Sequence, residues 1–306
     1  MIDLSVLVPT FDRPGLLRSC LASLAAQDLP RGAFEVVVVD DGSGPAVAAE
    51  VATARTVIPD LVAVRLDTNA GPATARNRAA DASSGTLLLF VDDDIVAPPD
   101  LVASHLRHHA GGDNHLAVLG RVDWHPDLMV TPFMRWLDRS GLQFAYETWL
   151  RDGPVEPPYA AFYTANLSMS RAMFEAGGGF DERFPYPAYE DMELAWRLTG
   201  MGLRLEYHED ALAYHRRAIT LPEFCARMTR VGESATLLSG VQPGFPLDDS
   251  LPLAGRRGRK RRLALAVASR VVPNAAQRAA WRDERYGAAV AAAYLEGRTR
   301  AAVAAR

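Results

Sequence analysis

Residues 86–95 read TLLLFVDDDI. The run Thr86–Val91 is continuously apolar or β-branched, as a strand buried on both faces requires. Three aspartates follow it without a break. Upstream the same pattern recurs. Ser5–Pro9 (SVLVP), Glu35–Val39 (EVVVV) and Leu61–Leu66 read as strands, while Leu16–Ala26, Ala46–Thr56 and Gly71–Ala82 carry apolar residues at helical spacing. Buried strands alternating with helices predict an α/β fold with a parallel sheet covered on both faces. Ligands of such sheets collect at the carboxyl ends of the strands. Those ends are Pro9-Thr10, Asp40-Asp41 and Asp92-Asp93-Asp94, so one crevice should be lined by all three.

Each cluster has two readings. Adjacent aspartates repel one another, and a hard divalent cation, Mn²⁺ or Mg²⁺, relieves this while bridging carboxylate to diphosphate. The alternative is a solvated acidic turn. Asp40-Asp41-Gly42-Ser43 is either a turn with a capping aspartate or a carboxylate acceptor for a base N–H and ribose hydroxyls. In Asn69–Asn77 (NAGPATARN) glycine and proline set a turn into a helix. Arg76 in that helix is placed to bind a phosphate or to hold an aspartate.

Further along, Tyr189–Leu194 (YEDMEL) puts Glu190 and Asp191 at a helix start. They are either an acceptor binder with a general base, or acids favoured there by the helix dipole. His215 follows the strand-like Ala211–Tyr214. A lone histidine is ordinarily structural; its place after the acidic helix keeps a metal role open. Residues 111–165 look irregular, with several Trp, Tyr and Pro. Leu221–Leu238 is predicted helical, Pro243–Gly258 a connector, and Arg259–Arg306 an Ala/Arg-rich helical tail.

Composition is that of a globular chain, 49% hydrophobic and 23% charged, and no 18-residue apolar run offers a membrane span. Met1-Ile2-Asp3 opens onto a strand-like run without a signal-peptide pattern, so the cytoplasm is the expected compartment. Cys20 and Cys225 lack any partner spacing and read as buried free thiols. The net charge of −4 divides unevenly: residues 255–306 carry +10 and the rest −14. The basic run Arg256–Arg262 and the apolar stretch after it suit peripheral contact with an anionic membrane face, a second copy in a homodimer, or the chain's own acidic body. Nucleic acid is not an expected partner, because no recognition fold or stacking platform accompanies the charge.

Together the segments 5–27, 35–43, 69–95 and 164–198 and the His215 region resemble glycosyltransferase family 2, the inverting GT-A type. The likeness spans about residues 3–240 and lies in the order and spacing of the motifs. It implies a GT-A fold, a Rossmann-like, mostly parallel sheet flanked by helices, here with a helical C-terminal extension. The implied organisation is a nucleotide-sugar-binding half (1–110), an acceptor-binding and catalytic half of the same domain (111–242) and the basic tail (243–306).

The resemblance also implies roles. Pro9, Thr10, Asp12 and Arg13 would border the nucleotide base, with Asp41 contacting it and Asp40 beside it. Arg76 would sit near base and ribose. Asp92 and Asp94 would end the D-x-D motif around Asp93, with Asp94 the metal ligand and Asp92 nearer the ribose. Asp191 would be the catalytic base, Glu190 and Asn166 would bind the acceptor, and His215 would complete the Mn²⁺ or Mg²⁺ site. The donor expected is a UDP-sugar, ahead of dTDP- and GDP-sugars; the acceptor is a glycan, a lipid-linked or a small-molecule hydroxyl. Ala165 replaces a glycine common in this family. The Q-x-x-R-W motif of processive members has no match in Gln277–Trp281, so transfer of a single sugar is implied. The competing readings are an inactive nucleotide- or sugar-binding module, and a sugar-phosphate nucleotidyltransferase. The second lacks its Gly- and Lys/Arg-rich loop, since Phe11-Asp12-Arg13-Pro14 stands there.

Overall fold

The computed structural model describes residues 2–30, 32–144, 146–247 and 275–304. The chain divides into two compact units, Met1–Met129 with Phe144–Arg217, and Val130–Gln143 with Ala218–Arg306. The expected breaks at 110/111 and 242/243 do not coincide with this division.

The first unit begins with three strand–helix pairs: β1 (Leu4–Thr10), α1 (Pro14–Ala25), β2 (Phe34–Asp40), α2 (Pro45–Ala54), β3 (Leu61–Arg65) and α3 (Pro72–Asp81). Each of these helices opens on a proline, whose missing N–H and fixed φ suit the first helical position. Then come β4 (Leu87–Val91), β5 (Ile95–Val96), α4 (Leu101–His108), β6 (Leu116–Trp124), β7 (Gly153–Val155), β8 (Asn166–Ser170), α6 (Arg171–Ala176), α7 (Glu190–Thr199) and β9 (Arg204–His215); α5 (Pro132–Ser140) belongs to the other unit. The sheet runs β3-β2-β1-β4-β8-β6-β9-β5, with β7 on β9. Its first four strands are mutually parallel. β8 then runs antiparallel to both β4 and β6, whereas β6 and β9 are parallel. The expected parallel α/β half is therefore present, and the sheet as a whole is mixed.

The core follows the apolar runs. Val36–Val39 of β2, Leu4–Val8 of β1 and Leu88–Phe90 of β4 are buried, and Leu17, Cys20, Leu21 and Leu24 of α1 cover them. Phe90 meets Phe180 edge-on and Phe174 at a tilt. Two findings differ from the expected irregular stretch at 111–165. First, β6 is a nine-residue strand. Gly120 and Arg121 interrupt its apolar pattern, which hid it. Gly120 is required by close approach: a Cβ there would lie 2.2 Å from Asn166 Nδ2 and 2.3 Å from the Ala211 carbonyl oxygen. Second, β8 lies between β4 and β6, so the two predicted halves share one sheet.

The second unit is helical: α5, α8 (Leu221–Val241) and α9 (Ala275–Ala304). Thr220 and Glu223 form a reciprocal capping box that starts α8. Phe133, Trp136, Phe224 and Tyr286 join the three helices through ring contacts of 5.1–5.9 Å. α8 and α9 approach backbone to backbone, since a Cβ on Gly297 would lie 1.8 Å from the Thr229 carbonyl oxygen. Any side chain there forces the pair apart. Helical structure in the tail thus holds for 275–304; the basic run Arg256–Arg262 and most of the Pro/Gly connector lie outside the described residues. Cys20 is buried and Cys225 half-buried, and both are free. Among the described residues no helix is long and apolar enough to cross a membrane.

Candidate functional site

The carboxyl ends of β1, β2 and β4 meet, as the alternation of strands and helices required. Thr10 closes β1 and donates its hydroxyl to Asp93 Oδ2 at 2.7 Å. Arg13, in the turn after β1, reaches Asp93 Oδ1 at 3.0 Å and Asp94 Oδ2 at 3.4 Å. Asp93, grouped with the nucleotide-binding residues by the resemblance, is buried with both oxygens engaged and fastens β1 to β4. Burial pushes its carboxyl up to about 7, with Arg13 opposing and Asp94 and Asp92 adding to the rise. Pro9 is half-buried beside it.

The second strand end is also self-engaged. Asp40 accepts from the Ser43 N–H at 2.8 Å and pairs with Arg65 at the end of β3. Asp41 accepts from the Ala70 and Gly71 N–H groups at 2.7 and 2.9 Å. Burial nonetheless raises its carboxyl pKa against these two donors, and Asp40 adds to the rise. Both aspartates, expected to lie at the nucleotide base, thus also shape the loops around the crevice. Asp12, exposed at φ 51°, accepts from Gly44 N–H at 2.9 Å and stitches the first loop to the second.

Arg76 is engaged at both arms of its fork. Its side chain is 4% exposed, and it spans two carboxylates: Nη1 to Glu190 Oε1 at 2.8 Å, Nη2 to Asp92 Oδ1 at 2.9 Å. It forms an ion-pair bridge, one of the two roles its position allowed. Arg76 thereby ties the D-x-D strand end to the first turn of α7. Glu190 Oε2 and Arg76 Nε are buried without a hydrogen-bond partner. Burial raises the Glu190 pKa, partly offset by Arg76. Asp191 follows, half-buried, its Oδ1 accepting the Met192 N–H at 2.8 Å. Tyr189 before them sits at φ 69°, a left-handed conformation unfavourable for an aromatic residue. Asp12 and Tyr189 are the non-glycine residues with positive φ among the described residues, and both flank the candidate site.

Sheet pairing delivers His215. β5 runs antiparallel to β9 with Ile95 opposite His215, and the Arg216 N–H donates to the Asp94 carbonyl at 2.8 Å. His215 Nε2 then stands 3.5 Å from Asp94 Oδ2. His215 Nδ1 lies 2.9 Å from the Arg217 carbonyl oxygen and 3.3 Å from the Arg217 N–H; in the tautomer with its proton on Nδ1, bonded to that carbonyl, the Nε2 lone pair faces the carboxylate. In that tautomer two acceptors are aimed at each other, an arrangement that fits a divalent cation between nitrogen and oxygen donors. No third His, Cys, Asp or Glu donor completes a set with Asp94 and His215 among the described residues. Asp92 is held by Arg76.

Asn166, expected to bind the acceptor, stands on β8 opposite Val91, next to the D-x-D strand end, with its side chain turned inward. It is 0% exposed. Its Nδ2 donates to the carbonyls of Arg121 and Ala211 at 3.1 and 2.8 Å, and its Oδ1 meets His105 Nε2 at 2.9 Å. His105 Nδ1 and His109 Nε2 each lie 2.8 Å from Ser168 Oγ. Burial holds His105 and His109 neutral, with pKa values near about 3 and about 4 from a usual 6.5. Below pH 6.5 the unfolded chain takes up protons that the folded chain refuses. Stability present above pH 6.5 is therefore lost as pH falls toward 4 and then 3. Between pH 6.5 and 5 each histidine should contribute a slope approaching about 1.4 kcal/mol per pH unit, while Asp93, raised to about 7, opposes one of them. Urea denaturation across that window, repeated on His109→Gln, checks this: the variant's slope should be lower than wild type's by about 1.4 kcal/mol per pH unit, one histidine's share.

Residues missed from the sequence are Arg65, Ser43 and Tyr189. Arg65 carried a signal, because it ends β3 directly opposite Asp40 in register. Nothing local marks a tyrosine for positive φ.

A partly parallel sheet with acidic strand ends, completed by antiparallel β8, is of the GT-A class. Solved structures share it. Mannosyltransferase PcManGT from Pyrobaculum calidifontis, in complex with GDP-Man and Mn²⁺, superposes with a TM-score of 0.65 at 20% identity, covering 99% of this chain and 88% of that one. Residues 1–349 of S. aureus TarS, in complex with UDP, give 0.57 at 19% identity over 97% and 92%. The chain belongs to glycosyl transferase family 2, whose pattern matches residues 5–167. It is 32% identical over 221 residues to validoxylamine A glucosyltransferase of Streptomyces hygroscopicus subsp. jinggangensis (strain 5008), covering 65% of this chain and 52% of that protein. It is 28% identical over 257 residues to the pre-mycofactocin glycosyltransferase of Mycobacterium tuberculosis (strain ATCC 25618 / H37Rv), covering 82% and 50%. The chain thus spans about half the length of these curated relatives.

Proposed function

We propose that this chain is an inverting, metal-dependent glycosyltransferase that moves one sugar from a nucleotide-sugar, a UDP-sugar first, to an acceptor hydroxyl. Family membership and the names of the curated relatives support transfer of a sugar. The carrying observation is the facing pair Asp94 Oδ2 and His215 Nε2, 3.5 Å apart, joined to the acidic start of α7 through Asp92, Arg76 and Glu190.

Each residue then has a task. Asp94 and His215 hold Mn²⁺ or Mg²⁺, which when bound neutralises charge on the departing diphosphate. PcManGT with GDP-Man and Mn²⁺, and TarS with UDP-GlcNAc, support a nucleotide-sugar and a divalent cation as ligands. Arg13, half-exposed at the mouth, supplies a guanidinium that can leave Asp94 for a diphosphate oxygen. Asp191 accepts the proton of the acceptor hydroxyl as its oxygen attacks the anomeric carbon opposite the leaving group, which inverts configuration. Arg76 fixes the distance between the donor strand end and the acceptor helix, the positioning on which displacement depends.

Calorimetry of UDP binding tests the site. With Mn²⁺ present, Asp94→Ala and His215→Ala should each weaken binding by roughly 10–100-fold, and without the metal both should match wild type. Equal affinities with Mn²⁺ would remove Asp94 and His215 from the metal role. A wild-type chain that binds UDP but never turns over a panel of nucleotide-sugars would instead favour a binding module.

A further inference from the structure

A second group of metal-binding side chains lies on the sheet at the β9–α4 contact. His108, His208 and Asp210 each offer a donor atom, all within 4.8 Å of one another. His108 ends α4, and His208 and Asp210 belong to β9. There the β6–β9 register jumps, from Gly120 opposite His208 to Val122 opposite Ala213. Such a bulge re-aims side chains. The two imidazoles stack at 3.7 Å with planes 14° apart. His108 Nε2 is 2.8 Å from Asp210 Oδ1, and His208 Nε2 is 3.2 Å from Glu206 Oε2.

The outer contacts orient this set. Ser104 Oγ and Arg107 Nη2 hold Asp210 Oδ2 at 3.2 and 3.3 Å, so Oδ1 is the oxygen turned to His108. Ligating carboxylates are characteristically held this way. Arg107 adds a positive charge that opposes a cation, but it is more than half exposed and so screened by solvent.

We propose that His108, His208 and Asp210 form a binding site for a borderline divalent transition ion of the zinc type, with Glu206 or water as fourth ligand. Two imidazoles and a carboxylate suit such an ion better than Mg²⁺ or Mn²⁺, which prefer oxygen. A tetrahedral ion with bonds of about 2.0–2.1 Å needs donors about 3.4 Å apart. To take up that spacing the two rings would have to rotate out of their stack. The ion would clamp α4 to β9, the strand whose far end carries His215. This reading is independent of the proposed sugar transfer.

The test uses Zn²⁺ alone and the full chain carrying His215→Ala, so that the candidate active site has lost its nitrogen donor. One equivalent of Zn²⁺ should bind by calorimetry and raise the melting temperature. Adding His208→Asn or the surface change Asp210→Asn should weaken that binding at least about tenfold. The proposal is overturned if His215→Ala alone removes the equivalent. It is equally overturned if His108→Asn, His208→Asn and Asp210→Asn all leave the affinity unchanged.

Discussion

Asp191→Asn should lower sugar-transfer turnover by about 10²–10⁴-fold, the range a general base contributes, and should leave nucleotide affinity as it was. Asp191 stands in the first turn of α7, half-buried, next to the buried Glu190 that Arg76 holds. Its Oδ1 accepts the Met192 N–H at 2.8 Å, a bond that the amide oxygen of asparagine keeps. The side chain therefore stays in place and only its basicity goes. Neither Asp94 nor His215 is touched, so UDP binding with Mn²⁺ should be unaltered. Steady-state rates and calorimetry on the same preparation separate the two effects. Near-normal turnover would move the base elsewhere; a parallel loss of UDP affinity would mean that Asp191 helps hold the donor.

The sequence displayed what local pattern can encode. Continuous apolar runs gave β1, β2 and β4, and because polar residues end each run, the three strand ends could be placed in one crevice. Pairing between distant segments is not written locally. β8 enters between β4 and β6 from some 75 residues beyond β4, and nothing in NLSMS announces that place. The partners of Asn166 were illegible for the same reason: they are the carbonyls of Arg121 and Ala211 and the ring of His105, all remote in sequence. His215 is the converse case. Its closeness to Asp94 depends on a two-residue antiparallel pairing of β5 with β9, too short to read from residue pattern. For Asp40, Asp41 and Asp93 the strand-end position was legible, but their partners, Arg65, the Ala70 and Gly71 amides, and Thr10 with Arg13, come from remote segments and were not.

Arg76→Met should cost about 3–5 kcal/mol of stability, as breaking one side of a buried ion pair does, and turnover should fall with it. Arg76 and Glu190 are each less than 5% exposed, and Glu190 Oε2 already lacks a partner. Removing the guanidinium leaves Glu190 without its cation inside the protein, and Asp92 loses its anchor. Arg76→Lys keeps the charge, but one ammonium on a flexible stem does not reproduce a fork that reaches two carboxylates at 2.8 and 2.9 Å. It should fall between wild type and Arg76→Met in both stability and turnover. The partner can be removed as well. Arg76→Met with Glu190→Gln takes both charges from the interior, so urea denaturation should find the double variant more stable than the sum of the single losses. Turnover should not recover with stability, because Asp92 is still free to turn and the two halves of the site are no longer held at fixed separation. An Arg76 that only met ribose would behave otherwise. Its loss would reduce nucleotide affinity, leave the denaturation midpoint in place, and show no coupling to Glu190.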